Sequence, residues 1–196
     1  MTLTLITPPA TAPISLSEMK LHARIDSNDD DTLVSRYINA ATQRLDGRDG
    51  GLGICLITQV WKLSLDSFPV EIIIPLRPCQ SIDAITYLAS DGSTQTMAAD
   101  AYRVTGLDSM DGARITPAYG RSWPATLGMS ESVSVTFTAG FGDAAGDVPE
   151  QLRIAVAMRA AHLYEQREGA ASHDGLTVEG PDGPDDFTRN FREFVF

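Results

Sequence analysis

The spacing of apolar residues changes period twice along this chain, and that switch restricts the fold more than any single motif. Between residues 32 and 46 the apolar positions are Leu33, Val34, Tyr37, Ile38, Ala41 and Leu45. Steps of three and four place them on one stripe of an amphipathic helix. From about Ile57 the period falls to two, and Trp61, Leu63 and Leu65 alternate with Lys62, Ser64 and Asp66, as a half-buried strand requires. Further strand candidates are 71–74, 81–88, 101–105, 113–116 and 132–138, the last with Val133, Val135 and Phe137 on one face. Ser90-Asp-Gly-Ser93 reads as a turn. Helical spacing then returns, with Leu152, Ala155, Val156, Arg159 and Leu163 sharing a face. A β block lodged between helical blocks predicts an α+β fold: a bundle of about three main helices, an inserted small antiparallel β lobe and an extended C-terminal tail.

Local signals place the boundaries. Residues 1–13 carry Pro8, Pro9 and Pro13 and read as an extended N-terminal arm. Ser15-Leu-Ser-Glu18 has the capping-box pattern, in which a hydroxyl and a carboxylate satisfy each other's backbone amides. It opens a short helix to about Arg24. The polar run 26–31 separates this helix from the next, and Gly47, Gly50, Gly51 and Gly53 end the N-terminal helical segment, 14–54. The β lobe is expected over 55–141. Asp147-Val-Pro149 starts the C-terminal helix, 147–168, with Pro149 at the first helical position. Ala155, Ala157, Ala160 and Ala161 permit close helix–helix approach. Residues 169–196 then read as a linker and docking tail.

Charge and residue usage exclude several functional classes. The formal net charge is −11, which repels phosphate backbones and argues against a sequence-reading DNA binder. Cys55 and Cys79 lack metal-site or redox spacing and read as buried thiols. His22, His162 and His173 form no metal-ligand motif, and no Gly-x-Ser-x-Gly elbow exists for a nucleophilic serine. The glycine run 47–53 follows a helix and lacks the Gly-Lys-Ser/Thr ending of a phosphate loop. The acidic run 26–31 lacks the Gly and terminal Glu of a calcium loop. These observations predict no catalytic residues, no metal and no cofactor. The start lacks a basic leader, and no segment approaches the ~20 apolar residues of a membrane span. The expectation is a protein soluble in the cytoplasm at synthesis, with no membrane partner.

The C-terminal segment carries the strongest local signal. After Gly180-Pro-Asp-Gly-Pro-Asp-Asp186, an acidic linker, come Phe187, Phe191, Phe194 and Phe196, with Arg192 and Val195 among them. Exposed aromatics usually mark contacts, and on a tether they resemble a docking peptide. Two readings stand: docking on the portal or a neighbouring subunit, or folding back on the chain's own domain.

Taken in order, several segments resemble the head–tail connector, or head-completion, family of long-tailed phages and gene transfer agents. They are Pro13-Ile-Ser-Leu-Ser-Glu-Met-Lys20 with Leu21-His-Ala-Arg24, Asp29-Asp-Asp-Thr-Leu33, Leu56-Ile-Thr-Gln-Val-Trp61, Ile74-Pro-Leu-Arg-Pro78, Ile85-Thr-Tyr87, Trp123-Pro124, Val135-Thr-Phe-Thr-Ala-Gly-Phe-Gly142, Val148-Pro-Glu-Gln-Leu-Arg153 and His162-Leu-Tyr-Glu-Gln-Arg-Glu168. The resemblance covers about residues 13–168. It implies a non-enzymatic adaptor in the virion neck, made in a bacterial cytoplasm. Around twelve copies would form a ring beneath the portal and meet a tail-side connector, stopper or terminator protein. Double-stranded DNA would pass through the lumen without sequence recognition. Two other readings remain open. One is a different virion part, such as a tail terminator or baseplate subunit, although the helices argue against these β-dominated proteins. The other is a carbohydrate-binding module using Trp61, Trp123, Tyr87 and Tyr102.

Overall fold

The computed structural model describes residues 1–166 together with 187, 188 and 191. The fold is α+β, with three α-helices and eight strands among the described residues. It divides into two units, 1–10 with 58–141 and 11–57 with 142–196.

The first unit is all β. Its strands are β1 (Thr2–Thr7), β2 (Gln59–Leu65), β3 (Ile72–Ile73), β4 (Cys79–Leu88), β5 (Thr94–Thr96), β6 (Tyr102–Thr105), β7 (Arg114–Pro117) and β8 (Val133–Ala139). They form two antiparallel sheets, a five-stranded one ordered β1-β2-β8-β4-β5 and a three-stranded one ordered β3-β7-β6. The sequence pattern had suggested one lobe. The split is a pairing outcome, since β3, β6 and β7 find partners only among themselves.

Register sorts the faces of the larger sheet. Leu3 lies beside Leu63, Leu63 beside Val135, and Val135 beside Ile85; all four are buried. The neighbouring row joins Trp61, Phe137 and Ile82. The opposite face carries hydroxyls, with Thr2, Ser64, Ser134, Thr86 and Thr96 in one row across all five strands. Alternation with a period of two therefore becomes an apolar face and a hydroxyl face.

The N-terminal arm departs from expectation. Residues 2–7 are extended, as the prolines suggested, yet they pair with β2 and complete the sheet. Thr-Leu-Thr-Leu supplies the strand alternation, and Pro8 and Pro9 come only after it. Strand β5 is also additional, formed when Asp91 and Ser93 close the expected turn through Asp91 Oδ1.

The second unit is helical: α1 (Leu16–Ala23), α2 (Asp31–Leu45) and α3 (Glu150–Glu165). The α2 stripe is buried at Val34, Ile38, Ala41 and Leu45. After α2 the chain turns tightly, and a Cβ at Gly50 would lie 2.5 Å from the Leu45 carbonyl. Asp46 Oδ1 accepts from the Leu56 amide at 2.6 Å, holding the end of this loop against the helix terminus.

Helix α3 begins one residue later than expected. Pro149 is its N-cap with ψ 133°, so its extended ψ keeps it outside the helix. The buried α3 residues are Leu152, Ala155, Val156, Ala157 and Ala160, while Arg159 and Leu163 stay half-exposed. Small alanines take those places because they let α3 approach its neighbours closely. The last described helical residue is Glu165; residues 167 and 168 of the expected helix lie outside the described residues.

Phe137 is fully buried between Trp61 and Ile82 at the centre of the sheet. Replacing it with alanine removes a large apolar group and leaves a cavity. We expect F137A to lose about 3–5 kcal/mol of stability, measured as a lower urea midpoint of the β unit.

Candidate assembly interface

The helical unit is fastened by polar contacts around a short first helix. The Ser15 amide donates to Glu18 Oε2 at 2.7 Å, and the Glu18 amide donates to Ser15 Oγ at 3.1 Å, closing the capping box. Arg153 on α3 gathers three partners: it donates to Glu18 Oε1, to Glu150 Oε2 at 2.6 Å and to the Pro13 carbonyl at 3.2 Å. The Ser15 backbone amide, then the Ser15 hydroxyl, and then the Arg153 guanidinium hold the Glu18 carboxyl below its usual value of 4.5. Lys20 reaches Asn28 Oδ1 at 2.5 Å and Asp31 Oδ1 at 2.7 Å, so the acidic run after α1 anchors that helix to α2. Tyr164 donates to Asp30 Oδ2 at 2.9 Å and meets Tyr37 edge-on at 6.5 Å, linking α3 to α2.

Beside this hub lies an open groove of about 490 Å³, lined by Thr11, Ile14, Leu16, Ile38 and Asn39 together with Ala145. Its lining is largely apolar and has no paired acid and base suited to bond-making. Among the described residues, no group of three or more His, Cys, Asp or Glu side chains could hold a metal ion. Cys55 and Cys79 are both buried, and neither is in a disulfide. Burial pushes the Cys79 thiol up to about 12, so it stays protonated and unreactive at neutral pH.

The aromatic residues of the β unit serve packing. Trp123 stacks on Phe68 with ring centroids 4.8 Å apart, and Tyr87 meets the same Phe68 edge-on at 5.7 Å. The Trp123 Nε1 is buried without an acceptor among the described residues. Trp61 is buried and donates to Gln59 Oε1 at 3.1 Å. Tyr102 is paired with Pro117 in the smaller sheet. This geometry does not gather the four rings into a sugar-binding platform.

The C-terminal docking residues are only partly visible. Phe187 and Phe191 are half-buried, and Thr188 between them is buried. Arg192, Phe194, Val195 and Phe196 lie outside the described residues. Sequence reasoning missed a second set of exposed apolar side chains on the β unit. Leu5 and Ile6 lie on β1, Val70 and Ile73 flank the start of β3, and Tyr119 follows β7. The signal for the first pair was present in the uncharged Thr2–Thr7 strand. Nothing in the pattern marked Tyr119, which depends on where its turn projects.

Comparison with known proteins gives this surface a context. Residues 13–88 match the family model described as phage gp6-like head–tail connector protein. The whole chain, with 97% of the matched chain, is similar to a chain in the virion of a native gene transfer agent particle, at 25% identity and a TM-score of 0.79. Over residues 13–88 this chain is similar to the head–tail connector family. The chain also shares its fold over 100% of its length with a chain in the neck of an empty gene transfer agent particle, at TM-score 0.81 and 24% identity. A chain of the native neck computed with C12 symmetry is similar at 0.78 and 24%. No curated protein matches.

The capping box generates a pH dependence. Glu18 has a lowered carboxyl, so its stabilising effect is present above the ordinary carboxylate value. It is lost as pH falls through the lower folded value. E18Q should therefore flatten the acid limb of thermal stability below about pH 5. Thermal melts across that range check this; an unchanged acid limb would show that Glu18 carries no linkage.

Proposed function

We propose that this chain is a structural subunit of the neck of a phage-like particle, forming a ring beneath the portal and joining the head to the tail. The observation that carries this reading is end-to-end similarity to chains of gene transfer agent necks and virions, with 100% of this chain and 97% of those chains covered. Similar necks were computed with C6 and with C12 symmetry, and a ring of twelve is compatible with both. A cyclic ring needs two different faces on each subunit.

The partners follow from that position: further copies of this chain, the portal protein above and a stopper or terminator protein below. DNA would cross the lumen without base readout, because a chain of net charge −11 does not offer a generally basic lining. The particle neck is the location this reading implies. A tail terminator or baseplate role fits less well, since the family match and the neck similarities both favour the connector.

Docking by the C-terminal aromatics is part of the same proposal. Phe187 and Phe191 are part-covered, and the docking reading assigns the contact with the portal or a neighbour to Arg192, Phe194, Val195 and Phe196 as well. Deleting residues 187–196 should yield DNA-filled heads that fail to join tails, counted by electron microscopy of lysates. Wild-type joining after that deletion would refute the docking role, whereas absence of the chain from the head–tail junction would refute the connector reading itself.

A further inference from the structure

We propose that the two outer edges of the five-stranded sheet join neighbouring copies of this chain, β1 of one copy running beside β5 of the next. The inference rests on the ring-subunit reading and adds the joint that closes the ring. Strands β1 and β5 stand at opposite ends of one sheet. An edge strand presents backbone donors and acceptors outward, and natural edges are usually blunted by charge, proline or bulges.

Neither edge carries a charged side chain. Strand β1 is Thr-Leu-Thr-Leu-Ile-Thr, and the first charged side chain in the sequence is Glu18. Its one irregularity falls between Leu5 and Thr7, leaving the strand regular from Thr2 to Leu5. Leu5 and Ile6 are 41% and 52% exposed. At the other end, Thr94, Gln95 and Thr96 are all exposed and lie in a stretch, 92–99, without charge. Pairing to β4 extends past β5 on both sides: the Ala89 amide donates to the Ser93 carbonyl at 2.9 Å, and the Met97 amide donates to the Ile85 carbonyl at 2.8 Å. The second edge therefore runs from Ser93 to Met97, close in length to β1.

Electrostatics favours these edges as the joint. Copies of net charge −11 repel one another, so contact between them is least costly where both surfaces are neutral. Direction is also compatible. Each neighbouring pair across the sheet is antiparallel, so β1 and β5 point the same way. Rotation about a ring axis along the strands preserves that direction. The joint is then a parallel strand pair, heterologous and repeatable around the ring.

Thr4 and Thr96 lie on the hydroxyl face, one on each edge. The test uses the full-length chain carrying T4C and T96C, in assembled particles treated with a short bismaleimide. Cys55 and Cys79 are buried and give little background. The double variant should produce a ladder of covalent oligomers on a denaturing gel, rising to the full ring. Each single variant, and T4C combined with Y119C, should remain monomeric. I6K, which places a charge on the β1 edge, should weaken ring formation about tenfold or more while circular dichroism is unchanged. Rings that assemble without a ladder in the double variant would overturn the edge joint and leave the connector reading standing. A wild-type chain absent from any ring would overturn both.

Discussion

The β unit depends on one strand that is apolar on one face and hydroxyl-bearing on the other. β8 is paired along its length with β2 on one side and β4 on the other. Val133, Val135, Phe137 and Ala139 are completely buried, while Ser134, Thr136 and Thr138 face the opposite way. Every apolar row of the larger sheet passes through this strand. Since β8 is the last strand in sequence and central in space, the sheet closes only after the β4–β7 segment has been accommodated. Such long-range pairing is slow to form, but it places the sheet's two edges on early and middle segments of the chain.

The helical unit uses a different device. Helix α1 has eight residues and buries only Met19, too little apolar surface to secure it alone. It is held instead by Glu18, Lys20 and the backbone beside Pro13, each tied to α2 or α3 through a charged hydrogen bond. Arg153 has the central place in this arrangement, with its side chain only 18% exposed. Charge-assisted bonds of this geometry are directional, so they set the orientation of α1 more sharply than a small apolar contact could.

The surfaces by which this protein would work are less legible than its core. The aromatic tail stood out because four phenylalanines follow an acidic linker, yet its first two are half-buried within the chain. Conversely, the Thr-Leu-Thr-Leu start looked like a free arm because prolines follow it, and pairing with β2 made it an edge strand. Exposed aromatic and apolar side chains gain meaning only with their neighbours. Trp123 looked available for a ligand and is stacked on Phe68, whereas Tyr119 looked ordinary and stands fully exposed.

By itself, the sequence determined the α+β class, the α2 stripe, the capping box at Ser15 and Glu18, and most strand positions. Each of these follows from residues within a few places of one another, where periodicity and local hydrogen bonding act. Only the tertiary structure decided that the strands form two sheets, that the N-terminal segment completes the larger one, and that Arg153 joins Glu18 and Pro13 across more than a hundred residues. Those outcomes depend on which distant backbones pair and which charges meet. Period-two alternation gives each strand a face to bury but does not name its partner.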